Sequence, residues 1–258
     1  MWLSTFMRFN RIYQLAGLLI LCVGLNSCQD NSWESLFNGI DLEGWTVKCI
    51  PADQGKTYWS VEDGSIICNS MGDAEHNYVW LCTDREFGDF RLKLRFQVFR
   101  ESPGNSGVQF RSNYDDSPEA NYGGWLNGPQ ADIHGPLPYR TGLIYDETEG
   151  IRRWIHPSLP DWRISPEQAP ESALKTILFY YEDDPVKWND LEITCSSMSI
   201  QTRVNGNLVS DFEATGILDD EIHHSEGSGE IGCIAFQLHM DDELLIKFKD
   251  IYIQELGR

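Results

Sequence analysis

From Phe90 to Val98 every second residue is apolar: Phe90, Leu92, Leu94, Phe96 and Val98 alternate with Arg91, Lys93, Arg95 and Gln97. An extended strand sends successive side chains to opposite faces, whereas a helix would scatter this pattern around its circumference. The segment is therefore predicted to be a strand with one face on a core and the other toward water. Residues 244–253 alternate in the same way, with Leu245, Lys247, Lys249 and Ile251 opposing Ile246, Phe248, Asp250 and Tyr252. Shorter β-rich runs at 45–50, 57–61, 65–68 and 78–83 are set off by turn residues. Asp63-Gly64 and Asn205-Gly206 fall between such runs, and both dipeptides tolerate the positive φ that a two-residue hairpin requires.

One core has to serve all these strands, because 258 residues without an internal repeat or linker are long for one ordinary domain and short for two. The 22 Gly, 11 Pro, 10 Tyr and 9 Trp fit short strands joined by turns better than a helical bundle. The predicted fold class is all-β, a two-sheet sandwich of jelly-roll type. Between 147 and 187 the alternation lapses into Pro-punctuated sequence with Trp154, Trp162 and one predicted helix at 170–181. Long insertions of this kind in all-β domains often build binding loops.

At the N-terminus, Arg8 and Arg11 precede an apolar run over 12–25 that is too short to span a bilayer comfortably, the pattern of a signal peptide. The run closes on Leu25-Asn26-Ser27-Cys28, which resembles the lipobox of bacterial lipoproteins, in which the Cys28 thiol would take the diacylglycerol. The expected layout is a signal peptide over 1–27, a lipidated Cys28 with a tether to 34, and one domain over 35–258. Such a protein would be exported and lipid-anchored to the bacterial cell envelope, in the periplasm or at the outer membrane. Cleavage would remove two of the 20 basic residues and none of the 40 acidic ones, taking the net charge from -20 to -22. A chain this acidic repels phosphate backbones and anionic headgroups, which excludes nucleic acid as the main partner and leaves membrane contact to the lipid. The remaining Cys49, Cys68, Cys82, Cys195 and Cys233 are odd in number and contain no Cys-x-x-Cys pair. They read as buried free thiols, with room for one bridge in an oxidising compartment, and no zinc site is predicted.

Three segments put polar side chains on one face of a strand. Gln109 and Arg111 follow Asn105 and oppose Val108 and Phe110; Gln130, Asp132 and His134 oppose Ala131 and Ile133; Gln237 and His239 flank Leu238 beside Phe236. Amide, carboxylate, guanidinium and imidazole groups in such rows suit the many hydroxyls of a sugar, whereas a solvated face would carry Lys, Glu, Thr and Ser. Tyr145-Asp146-Glu147 ends another strand, and adjacent acids point to opposite faces, so only one of Asp146 and Glu147 can share a pocket unless the strand has ended. The cluster Asp219-Asp220-Glu221-Ile222-His223-His224 lacks regular ligand spacing and reads as a charged surface loop. Trp125, Trp154 and Trp162 are available to stack on sugar rings or to pack beneath the long insertion. No cofactor motif is present, and the sequence leaves open whether a divalent metal assists.

These residues together resemble the 3-keto-disaccharide hydrolase family, once a domain of unknown function. The resemblance is carried by Asn105-Ser106-Gly107-Val108-Gln109-Phe110-Arg111, Gly128-Pro129-Gln130-Ala131-Asp132-Ile133 and Gly142-Leu143-Ile144-Tyr145-Asp146-Glu147. Trp188-Asn189-Asp190-Leu191-Glu192-Ile193, Asn205-Gly206 and Gly232-Cys233-Ile234-Ala235-Phe236-Gln237-Leu238-His239 follow in order, and the match runs over about 35–256. It implies a fold similar to concanavalin A-like lectins and glucanases. Many members carry Glu where this chain has Gln130 and Tyr-Gln where it has Ala131-Asp132, so the acid is shifted by two positions.

Three functions are compatible with these features. The first is a hydrolase, or lyase and hydratase, that breaks the glycosidic bond of a 3-keto-glycoside or 3-keto-disaccharide. The second is a non-catalytic carbohydrate-binding lipoprotein, and the third a conventional glycosidase using Asp132 with Glu147 or Asp146. A keto-sugar enzyme needs one base at C2 and a group to steady the enolate, because the C3 ketone acidifies the C2 proton. The predicted catalytic set is Asp132, His239, Arg111 and Glu147, with Asp132 or His239 as base and Arg111 on the enolate oxygen. Asn105, Gln109, Trp125, Gln130, His134, Tyr145, Asp146 and Gln237 are predicted to bind a small sugar substrate.

Overall fold

The computed structural model describes residues 32–135 and 138–257; the export segment and Cys28 lie outside the described residues. Two eight-stranded antiparallel sheets form a jelly-roll sandwich. The first runs β14 (Asn207–Glu213), β13 (Ser199–Val204), β12 (Asn189–Ser196), β6 (Phe90–Val98), β16 (Leu245–Glu255), β4 (Ser65–Asn69) and β3 (Trp59–Glu62), with β1 (Glu34–Ser35) paired to β16. The second runs β11 (Arg153–His156), β10 (Ile144–Asp146), β9 (Pro129–Ile133), β7 (Ser106–Asp115), β15 (Gly232–Leu238), β5 (Val79–Phe87) and β2 (Trp45–Cys49), with β8 (Trp125–Asn127) paired to β7.

The alternating face of β6 lies in the core as predicted: Phe90, Leu92, Leu94, Phe96 and Val98 are all buried. Phe248 of the first sheet stacks on Phe236 of the second at 4.0 Å between ring centroids, and Trp59 of the first sheet meets Phe236 at 6.4 Å. Large aromatic surfaces meeting across the gap supply the apolar burial that holds the layers together. Both hairpins form. Glu62 pairs with Ser65 across Asp63-Gly64 and Val204 with Asn207 across Asn205-Gly206, with positive φ at all four turn residues.

Three expectations are corrected. The alternation over 244–253 breaks at a bulge, where Asp250 has φ 51 and the register against β6 shifts, so Ile251 and Ile253 take the core face that Ile246 and Phe248 hold earlier. The helix at 170–181 shrinks to α1 (Glu171–Leu174). Beyond it the Asn189 amide bonds both N–H and C=O of Phe179, and Tyr181 N–H donates to the Val98 carbonyl, so the chain continues extended beside β6. The charged cluster at 219–224 leads into α2 (Glu221–Ser225), whose N-cap is the Asp220 carboxylate and whose His223 is fully buried. The five described cysteines are free, Cys68, Cys82 and Cys195 buried and Cys49 and Cys233 half-buried. Among the described residues no helix is long and apolar enough to cross a membrane.

Candidate active site

The period of two in β9 sends Ala131 and Ile133 into the core and Gln130 and Asp132 to the outer face of the second sheet. Antiparallel register then lines up a row across that face: Gln109 opposes Gln130, Gln130 opposes Tyr145, and Tyr145 opposes Trp154. Gly107 sits opposite Asp132, and a Cβ there would fall within the Gln130 side chain, so the glycine gives that amide its space. Past the end of β10, Glu147 leaves the strand and turns to the same face, while Asp146 turns the other way. Insertion and loop residues close the face into a cavity of about 590 Å³ lined by Gln130, Asp132, Glu147 and several others named below.

Its floor holds two buried carboxylates with different partners. Asp132 accepts from Arg140 Nε at 3.0 Å and Nη2 at 3.4 Å. Burial lifts its carboxyl to about 6, against the pull of the Arg140 guanidinium. Glu147 Oε1 accepts from Gln237 Nε2 at 3.1 Å, and its Oε2 has no protein partner. Burial lifts Glu147 to about 7, with the Gln237 hydrogen bond and the Arg152 charge holding it down and Asp132 and Asp146 pushing it up. Gln130 Oε1, Asn105 Oδ1 and His134 Nδ1 are likewise buried and unpartnered, which leaves four acceptor or donor atoms around one cavity.

The walls are aromatic and cationic. Tyr78 donates toward His239 Nε2 at 2.9 Å, and His239 Nδ1 faces Met240 O at 2.9 Å and Asp242 Oδ2 at 3.6 Å. Burial lowers the His239 pKa, with the Asp242 charge opposing, and burial raises that of Tyr78, so a neutral imidazole meets a protonated phenol. Burial and the Arg140 charge bring His134 down to about 4. Arg152 Nη2 lies 3.5 Å from the Tyr78 hydroxyl, and its guanidinium sits 4.9 Å over the Trp125 ring. Tyr145 and Trp154 meet edge to face at 5.1 Å on the other wall.

Of the predicted residues, the fold brings Asp132, His239, Glu147, Asn105, Gln130, His134 and Tyr145 to the cavity. Arg111 is elsewhere. It occupies a bulge at φ 50, which reverses its side chain, and its guanidinium binds Gly88 O at 2.8 Å and Asp89 Oδ1 at 2.9 Å. Gln109 donates to Leu126 O, and Trp125, wholly buried, donates to the backbone oxygen of Glu147 at 2.6 Å. Asp146 pairs with His223 Nε2 at 3.2 Å behind the site, and Gln237 touches Glu147 rather than lining the cavity. Tyr78, Arg140, Arg152, Met240 and Asp242 line the site without having been singled out from sequence. Tyr78 and Trp80 share the face of Gln237 by strand parity, a signal the alternation carried; Arg140 and Arg152 come from turns, where no period applies.

Fold and cavity together define a jelly-roll β-sandwich with a polar, aromatic-walled pocket on the outer face of one sheet. The chain belongs to the 3-keto-disaccharide hydrolase family: the 3-keto-alpha-glucoside-1,2-lyase-like domain matches residues 32–254. Among solved structures, a protein of Parabacteroides distasonis ATCC 8503, provisionally called a glycosyl hydrolase, is similar at TM-score 0.52 and 17% identity, covering 88% of this chain and 95% of that one. A second such protein from the same organism gives TM-score 0.49 at 20% identity, over 88% of this chain and 100% of the other. The carbohydrate-binding module CBM66 of Bacillus subtilis gives 0.47 at 12% identity, over 82% and 96%. At these identities the first likeness shows the shared fold. No protein of curated function matches the sequence.

Proposed function

We propose that the protein cleaves the glycosidic bond of 3-keto-glycosides by elimination across C1 and C2, with Glu147 as the base. The family's name as a 1,2-lyase supports this chemistry. The observation that carries it is the Glu147 carboxyl, which lines the cavity, is raised by burial to about 7, and has one oxygen held by Gln237 and the other buried without a protein partner. A base is most effective when its pKa lies near the working pH. Asp132 is engaged by Arg140 through both oxygens, which leaves it a poor partner for the two-carboxylate mechanism of a conventional glycosidase.

Glu147 takes the C2 proton, and the electron pair left on C2 delocalises onto the C3 oxygen as an enolate. Arg152, the cation nearest Glu147 in charge interaction, offsets that negative charge in the role first assigned to Arg111. Collapse of the enolate forms the C1–C2 double bond and breaks the bond from C1 to the leaving oxygen, which takes a proton from the Tyr78–His239 pair. Water then adds across C1 and C2, its hydroxyl joining C1 while its proton restores the Tyr78–His239 pair and Glu147 returns a proton to C2, giving the free 3-keto sugar. Gln130, Asn105 and His134 supply hydrogen bonds to ring hydroxyls. Purified protein should cleave a 3-keto-disaccharide and leave the unoxidised disaccharide nearly untouched, and Glu147→Gln should lower kcat by about 10²-fold or more. Equal cleavage of both sugars points to the conventional glycosidase; binding without turnover of either points to a carbohydrate-binding module.

A further inference from the structure

Trp162 is 64% exposed, yet it lines the cavity, and it has one contact at its backbone and one at its ring. From below, the buried Trp154 donates its indole N–H to the Trp162 carbonyl at 2.9 Å. From one side, Arg163, itself 3.5 Å from the Asp161 carboxylate, places its guanidinium 5.0 Å from the Trp162 ring centroid. One ring face is thus backed by a cation. Inward from Trp162 the contacts run in sequence: Trp154, then Arg140 at 5.2 Å over the Trp154 ring, then Asp132 on the floor. Trp125 does not line the cavity, and Trp154, which does, is buried with Arg140 over its ring and Tyr145 edge to face with it, so Trp162 is the exposed tryptophan of this cavity.

We propose that Trp162 is the platform for the leaving group, and that the enzyme favours leaving groups that carry a ring with an apolar face, a second pyranose or an aryl group. This rests on the elimination reading, which places the keto-sugar ring against Glu147 and Asp132 at the floor. The group departing from C1 then extends toward the mouth, where the exposed indole stands. Stacking there excludes water from one indole face and adds binding to ring-bearing leaving groups alone. A methyl group reaches too short a distance to gain from it.

The test compares kcat/KM for a 3-keto-disaccharide, an aryl 3-keto-glucoside and methyl 3-keto-glucoside in wild type, Trp162→Ala and Trp162→Phe. The preference for each ring-bearing substrate over the methyl glycoside should fall about tenfold in Trp162→Ala, mainly through KM, and recover substantially in Trp162→Phe. Loss confined to the disaccharide or to the aryl glycoside identifies which ring the platform serves. An unchanged preference, or an equal loss on all three substrates, overturns the proposal. Should wild type turn over none of them, the elimination reading fails by itself, and quenching of tryptophan fluorescence by the unoxidised disaccharide decides the platform. Saturable quenching lost in Trp162→Ala sustains it; no binding, or binding equal in the variant, removes it.

Discussion

Glu147 is tuned by burial and by four neighbours of opposing effect. Burial and the nearby Asp132 and Asp146 carboxylates favour its protonated form, and the Gln237 amide together with Arg152 favours the charged one. A base that must be ionised gives a rate that rises with pH through its own pKa, so the ascending limb of kcat/KM should centre near 7. Gln237→Leu removes a hydrogen bond that stabilises the carboxylate, so the limb should move to higher pH, with less change in the rate at its plateau. A limb that stays where it was, with only a lower plateau, would show that the amide serves packing alone. The polar residues of β9 were legible because their strand alternates cleanly; Glu147 was legible as one of a pair of adjacent acids, and the end of β10 decides which of the two enters the cavity.

Behind the site, α2 anchors the segment that bears Glu147. His223 lies between the Asp146 and Asp220 carboxylates, at 3.2 and 2.8 Å, and Asp146 Oδ1 also accepts from the Thr148 amide. Burial opposes the imidazolium, but the two carboxylates outweigh it and raise the His223 pKa above its ordinary value. A raised folded-state pKa means stability that is complete below about 6.5 and is lost as pH rises through the folded value. His223→Ala leaves Asp146 buried without its partner, which should cost about 3–5 kcal/mol and flatten that pH dependence. Thermal unfolding at several pH values checks both, and a small cost with unchanged pH dependence would contradict the pairing. None of this element was visible in the sequence, because the contact joins residues 146 and 223 across the fold. The two hairpins were visible because Asp-Gly and Asn-Gly encode their turn within two residues. Arg111 and Asp250 misled for a common reason: a single bulge residue at positive φ inverts strand parity, and both are ordinary charged residues with no local mark of it.

The described residues form one sandwich in which strands from both ends of the 34–255 span share sheets: β1 pairs β16, and β2 and β15 both pair β5. Such interleaving ties the ends into one cooperative unit, so melting should be a single transition with a β-rich far-ultraviolet spectrum. Two separated transitions would contradict it. The proposed lipid anchor belongs to this scale as well. Cys28→Ala should release the protein from the membrane fraction, and a variant that fractionates like the parent would overturn the lipobox reading. The order of elements and the all-β class were legible from periodicity and turns; the cavity was legible only in part, since turn residues such as Arg140 and Arg152 complete it. Elimination at C2 is tested most directly by the fate of the hydrogen on that carbon. With 3-keto-disaccharide deuterated at C2, the product sugar should carry solvent hydrogen there, well beyond what the product exchanges when incubated without enzyme. Full retention of the C2 deuterium in the cleaved sugar, together with a kcat/KM unchanged by that deuterium, would contradict proton abstraction at C2.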